Sequence, residues 1–224
     1  AAPSTLAVDP VRIRRPENEE QPIAPIYGYI LFTDREEGLI LVGAATLLDG
    51  DPTNNFLERT PIEGQPSFNP EGLLDGAISL TIAGNFVYVG CDRGLVILDL
   101  AAPENPKIAA IIESDLVSEP RSIAVQFRYA FVADSEGIKV VDVTDPYEPR
   151  LISEATYEIE DARNIYVART YAYVAAGAEG LVILDVEQPE RPRLFMKYDA
   201  DGEIDDAYDV KVAMTNASLF AYVA

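Results

Sequence analysis

Three stretches decide the fold when set beside one another: GNFVYVGCDRGLVILDL at 84–100, YAFVADSEGIKVVDV at 129–143 and YAYVAAGAEGLVILDV at 171–186. Each carries an aromatic pair two residues apart (Phe86/Tyr88, Tyr129/Phe131, Tyr171/Tyr173), then a glycine, then a mostly apolar run that ends in Asp. Gly94, Gly137 and Gly180 recur every 43 residues, and Asp99, Asp142 and Asp185 keep the same step. So do the proline pairs Pro103/Pro106, Pro146/Pro149 and Pro189/Pro192. A fixed period of this length is the signature of a repeat architecture.

The repeat extends outward on both sides. An apolar-x-apolar segment precedes each aromatic pair: Leu80/Ile82, Ile123/Val125, Ile165/Val167 and Val210/Val212, the last followed by Phe220/Tyr222. Near the N-terminus, GYILFTDREEGLILVG (28–43) is a degenerate first copy, with Tyr29 and Leu31 as the pair, Gly38 as the turn glycine and Gly43 in place of Asp. Within one copy, RNIYV, YAYVAA, GLVILDV and RPRLFMKY read as four successive strands, and no window combines a 3.6-residue period with helix caps. Four short strands in about 43 residues predict one blade of a β-propeller. The chain is therefore expected to be all-β. An extended, proline-rich arm over 1–22 precedes blades at about 23–70, 73–114, 115–156 and 157–200 and an incomplete blade from about 203. About four and a half blades leave an open edge, so the expectation is part of a larger ring of roughly six to eight blades.

The punctuation has a physical reading. Gly94, Gly137 and Gly180 close the turn from the second to the third strand, where a positive φ falls cheaply only to glycine. Asp99, Asp142 and Asp185 open a D-[VL]-x-x-P-x-x-P turn, where a carboxylate can accept turn amide hydrogens while proline fixes φ. These six residues read as structural turn positions.

Those same residues carry a family resemblance. LVILD at 95–99 and 181–185 and IKVVD at 138–142, with the proline turn that follows, closely resemble the LVIVD repeat. The resemblance implies a β-propeller, mostly in exported or surface-associated prokaryotic proteins, some of them in assemblies with multihaem cytochromes. It implies no general enzymatic activity and supplies no catalytic residues.

Composition narrows the chemistry. Among 224 residues, 38 Asp and Glu face 17 Lys and Arg, for a net charge of −21. Such a surface repels phosphate backbones and anionic lipids, so no nucleic acid and no membrane insertion is expected. Histidine is absent and Cys91 is the only cysteine. That excludes His-based triads, zinc–histidine sites, intramolecular disulfides and histidine-ligated haem. The opening Ala-Ala-Pro-Ser resembles a mature start after removal of an export signal, giving an extracellular or cell-surface expectation with the periplasm as alternative.

Propeller ligands are expected where inner strands converge. The leading columns there are Gly76, Glu119, Asp161 and Asp206, then Ile78, Arg121, Arg163 and Tyr208, then Ser79, Ser122, Asn164 and Asp209; Glu119, Arg121, Asp161, Arg163, Asn164, Asp206, Tyr208 and Asp209 form the candidate central mouth. A second candidate is the acidic stretch Asp199, Asp201, Glu203 and Asp205, whose hard oxygens suit Ca²⁺; Asp49-Gly50-Asp51 with Asn54 and Asn55 has a similar flavour. The expected function is an exported, non-enzymatic protein-interaction scaffold at the cell surface without a required cofactor, its partner another protein, with a surface or multihaem cytochrome assembly as the candidate that the resemblance implies. The alternative is a calcium-dependent propeller hydrolase or lactonase with carboxylates at the mouth.

Overall fold

The computed structural model describes residues 25–47, 52–214 and 218–224; the 1–22 arm lies outside them. Five antiparallel sheets follow one another along the chain. The first joins β1 (Tyr29–Asp34), β2 (Gly38–Gly43) and β3 (Glu58–Thr60). The second is the meander β4 (Ser79–Ala83), β5 (Phe86–Cys91), β6 (Gly94–Asp99) and β7 (Lys107–Glu113). In the third, β8 (Ser122–Gln126), β9 (Tyr129–Asp134) and β10 (Gly137–Asp142) are followed by β11 (Arg150–Leu151) and β12 (Tyr157–Glu158). The fourth holds β13 (Asn164–Ala168), β14 (Tyr171–Ala175), β15 (Leu181–Asp185) and β16 (Arg193–Tyr198). The fifth pairs β17 (Val210–Met214) with β18 (Leu219–Val223). The inner strands stand side by side, β4 against β8, β8 against β13 and β13 against β17. This is the radial order of β-propeller blades.

Alternation along the strands explains why the blades stack. Successive side chains point to opposite faces. In blade 2, Val87, Val89, Val96 and Leu98 join the core shared with blade 1, whereas Tyr88, Leu95 and Ile97 join the core shared with blade 3. Blade 3 repeats this, with Phe131, Ile138 and Val140 packed toward blade 4 and Ala130, Val132 and Val141 toward blade 2. A third strand buried on both faces needs an unbroken apolar run, which LVIL supplies. Each such side chain contributes about 1.5–3 kcal/mol on burial. The outer strands follow a shared irregularity: the ladder shifts register between Ile97 and Leu98 and, one blade pair later, between Ile183 and Leu184.

Besides the two-stranded fifth sheet, two blades depart from four continuous strands. In blade 3 the outer position is divided between β11 and β12, which both pair with β10 and flank the short 3₁₀ turn Ser153–Ala155. Among the described residues the first sheet begins at its second strand, because Tyr29, the counterpart of Phe86, opens β1.

The proline turns tie consecutive blades together. The residue after the first proline is Glu104, Tyr147 and Glu190 in blades 2, 3 and 4. Each reaches the leading aromatic of the preceding blade. Tyr29 Oη donates to Glu104 Oε1 at 2.8 Å, and Tyr129 Oη donates to Glu190. Blade 2 has Phe86, which lacks a hydroxyl, and there the turn supplies Tyr147, whose ring meets Phe86 edge-on at 5.6 Å. The Tyr147 hydroxyl donates instead to Asp99 Oδ2 at 2.6 Å. Burial, and then Glu104, push the Tyr29 hydroxyl well above its usual pKa, so it stays a donor.

Candidate functional site

The meander places the start of each inner strand beside the turn between the second and third strands. Ser79 pairs with Gly90, Ser122 with Ala133 and Asn164 with Ala175. One end of the blade array thus gathers the leading columns and the second turns. Charged groups there reach forward from one blade to the next. Arg121 Nη1 donates to Asp161 Oδ1 at 2.8 Å. Arg163 Nε donates to Asp161 Oδ2 at 2.8 Å, and its Nη1 to Asp206 Oδ1 at 2.7 Å. Glu119 Oε2 lies 3.8 Å from Arg121 Nη2. The Arg163 guanidinium sits over the Tyr208 ring, 5.5 Å from its centroid. Asp209 Oδ1 accepts the Val210 N–H at 2.8 Å and faces Lys211 Nζ at 3.3 Å.

Serines of the third column also bridge blades. Ser79 Oγ donates to the Pro120 carbonyl at 3.2 Å, and the Ile165 N–H donates to Ser122 Oγ at 3.3 Å. Space for Asp161 comes from Gly177, where a Cβ would fall 2.4 Å from Asp161 Oδ2. The mouth is an open basin of about 510 Å³. Arg121, Asp161, Arg163, Asn164, Tyr208 and Asp209 line it together with Ile78 and Arg35. Asp206 joins through Arg163, while Glu119 lines an adjoining recess with Arg35, Ile78 and Cys91. Arg35 is the residue that column-by-column reading missed. It lies in the β1–β2 turn rather than in a leading column, and the signal was its place in the turn that ends at Gly38, one blade before Asp92.

The electrostatics follow from these contacts. Hydrogen bonding to Arg163, together with the charges of Arg163 and Arg121, outweighs partial burial and holds the Asp161 carboxyl below its usual 3.8. Arg163 is raised in turn, first by Asp161 and then by Asp206. A carboxyl with a depressed pKa contributes stability above its unfolded value and loses it as pH falls through the folded one. Thermal melting between pH 7 and pH 3 should therefore lose more stability in the wild type than in Asp161→Asn, with the divergence below about pH 4.

The other sequence candidates fall elsewhere. Asp199 Oδ1 accepts the Asp201 N–H at 3.1 Å in a turn where Ala200, Asp201 and Gly202 have φ of 53°, 59° and 86°. Asp199, Asp201, Glu203 and Asp205 are all exposed. Among the described residues no group of three or more Asp, Glu or Cys side chains is gathered in a way that could hold a metal ion. Asp49-Gly50-Asp51 lies outside the described residues. Asp99, Asp142 and Asp185 each accept the N–H two residues on, from Ala101, Thr144 and Glu187 at 2.8, 2.9 and 2.9 Å. Gly94, Gly137 and Gly180 have φ of 110°, 138° and 69°. Cys91 is buried against the Leu73 and Gly94 carbonyls, and burial pushes its thiol up.

The LVIVD repeat matches residues 76–113, 119–156 and 160–200, the three complete blades, and the chain belongs to the LVIVD-repeat family. No curated protein matches the chain significantly. Among solved structures, the computationally designed Ika8 protein superposes with a TM-score of 0.54 at 9% identity, over 88% of this chain and 56% of that one. Mala s 1, the major allergen of Malassezia sympodialis, gives 0.53 at 12% identity, over 88% and 69%. AztD of Citrobacter koseri gives 0.52 at 15% identity, over 87% and 62%. At such identities the likeness is one of fold. The chain spans 56% of Ika8 and 62% of AztD. No helix among the described residues is long and apolar enough to cross a membrane.

Proposed function

We propose that the chain is a non-enzymatic, exported propeller that holds a basic partner protein against its mouth face at the cell surface. The observation that carries this reading is the state of the mouth carboxylates. Asp161 is held between two guanidiniums and kept ionised, whereas a general acid needs a raised pKa and a general base one near the working pH. Around the basin, exposed carboxylates edge the connections into blades 4 and 5: Glu158, Glu160, Asp199, Asp201, Glu203 and Asp205. With a net charge of −21, they make a rim whose natural complement is Lys- and Arg-rich. The hydrolase alternative would need carboxylates converging on a cation, and these stand on separate, exposed positions.

Capture from native membranes or secreted material tests the reading. A partner retained at about 0.1 M salt, where the Debye length is about 10 Å, should be released at about 1 M, where it is about 3 Å. Retention unchanged by salt would overturn the electrostatic docking. Hydrolytic turnover that vanishes in Asp161→Asn would overturn the non-enzymatic assignment.

A further inference from the structure

Among the described residues, blade 1 lacks the strand that every later blade places innermost. There β1 pairs only with β2, whereas its counterparts β5, β9, β14 and β18 each pair with an inner strand. That pairing is regular. The apolar-x-apolar positions of the inner strand stand opposite one face of the second: Leu80 and Ile82 face Val89 and Val87, Ile123 and Val125 face Val132 and Ala130, and Ile165 and Val167 face Val174 and Ala172. All six second-strand residues are fully buried. Their counterparts in β1, Phe32 and Ile30, are 49% and 36% exposed. A free strand edge flanked by exposed apolar side chains is a template for a further strand.

The hairpin spacing of blades 2 to 4 would put Ile23 and Pro25 in the empty position, but Pro25 opens the 3₁₀ turn Pro25–Gly28 instead. Farther upstream the apolar-x-apolar pattern recurs at Leu6/Val8 and at Val11/Ile13. Charge selects the second. VRIRR (11–15) holds three arginines and no carboxylate in a chain of net charge −21, so the acidic body attracts it. Val11-Arg12-Ile13 also matches Val210-Lys211-Val212 of the inner strand β17, with a cation between two apolar residues. We propose that residues 10–14 of this same chain lie antiparallel along the free edge of β1 as the inner strand of blade 1, with Val11 opposite Phe32 and Ile13 opposite Ile30. Pro10 then takes the first position of an edge strand, where proline is tolerated. The connection is long enough. The ten residues 15–24 reach about 33 Å when extended, and neighbouring strands lie only about 4.8 Å apart.

Hydrogen–deuterium exchange on the full chain tests this placement. The β1 amides should exchange at least tenfold faster in Val11→Asp/Ile13→Asp than in the wild type, while those of β9 and β10 keep their rates. Leu6→Asp/Val8→Asp adds the same charge to the arm and should leave β1 as in the wild type. Oxidation of Ile13→Cys/Ile30→Cys should cross-link the two positions within one chain. Arg12→Cys/Ile30→Cys should not, because neighbouring strand residues point to opposite faces. Equal β1 exchange in the wild type and Val11→Asp/Ile13→Asp would overturn the proposal, as would faster exchange in Leu6→Asp/Val8→Asp alone. Cross-links between chains in place of those within one would assign the edge to a second copy and overturn it too.

Discussion

Replacing Lys139 by methionine is expected to lower the unfolding free energy by about 3–5 kcal/mol, because it strands a buried charge. Lys139 Nζ lies 3.0 Å from Asp134 Oδ2 and 2.8 Å from Glu136 Oε2, and donates to the Leu116 carbonyl at 2.7 Å. The Lys139 side chain is 7% exposed and that of Asp134 is 0% exposed. Burial works to lower the Lys139 pKa, but Glu136 and Asp134 outweigh it and the net direction is up. A raised lysine contributes stability that is complete below its unfolded value and is lost only as pH rises through the folded one. The full effect is therefore expected at neutral pH, as a fall in melting temperature of roughly 10 °C. The double variant Asp134→Asn/Lys139→Met is the control. Its amide oxygen can still accept the Glu136 and Gly137 N–H groups that Asp134 Oδ1 now holds at 2.9 and 3.1 Å, without a charge to compensate. It should recover at least half of the loss. A single variant as stable as the wild type would show that the pair carries no such burden.

The second large effect is expected at Gly137. A Cβ there would lie 2.2 Å from the Tyr157 carbonyl oxygen and 2.6 Å from the Ile159 nitrogen, at a φ of +138°. Both obstacles are backbone, in and just beyond β12, and β12 pairs with Gly137 itself through Glu158. Neither can swing aside like a side chain. Gly137→Ala should cost roughly 3–4 kcal/mol, from backbone strain and a broken outer strand together. Gly84→Ala separates the two contributions. Gly84 also has a positive φ, of +62°, but nothing lies within 4 Å of its added Cβ. Its cost should be roughly 1 kcal/mol, from strain alone. Urea denaturation reads both, and equal midpoint shifts would refute the role assigned to β12.

Lys139 also shows how far the sequence could be read. The third strand was recognisable from LVILD and IKVVD because two buried faces demand apolar residues at successive positions. The lysine in IKVVD breaks that rule, and its reason lies in Asp134 and Glu136, which are near in sequence but converge only when β9 and β10 pair. The mouth columns were legible for a similar reason: a period that fixes strand starts also places their side chains at one end. Arg121, Arg163, Asp161 and Asp206 followed from spacing alone, whereas their forward pairing depends on how neighbouring blades lean. Arg35 was hidden because the first copy lacks the signals that mark a leading column. The split of the outer strand in blade 3 had no sequence mark, since two-residue strands fall below any periodic pattern. The double role of the proline turn was equally silent. Its prolines announce a bend, but the residue between them acts on a side chain one blade back.

That last contact makes the copies unequal. Loss of blade 2 alone would set Tyr29 against Tyr147, a hydroxyl facing a ring with no carboxylate to receive its proton. Loss of blades 2 and 3 together would set Tyr29 against Glu190, the match that Tyr129 enjoys now. A chain shortened by those two blades therefore keeps the inter-blade hydrogen bond, and one shortened by blade 2 alone loses it.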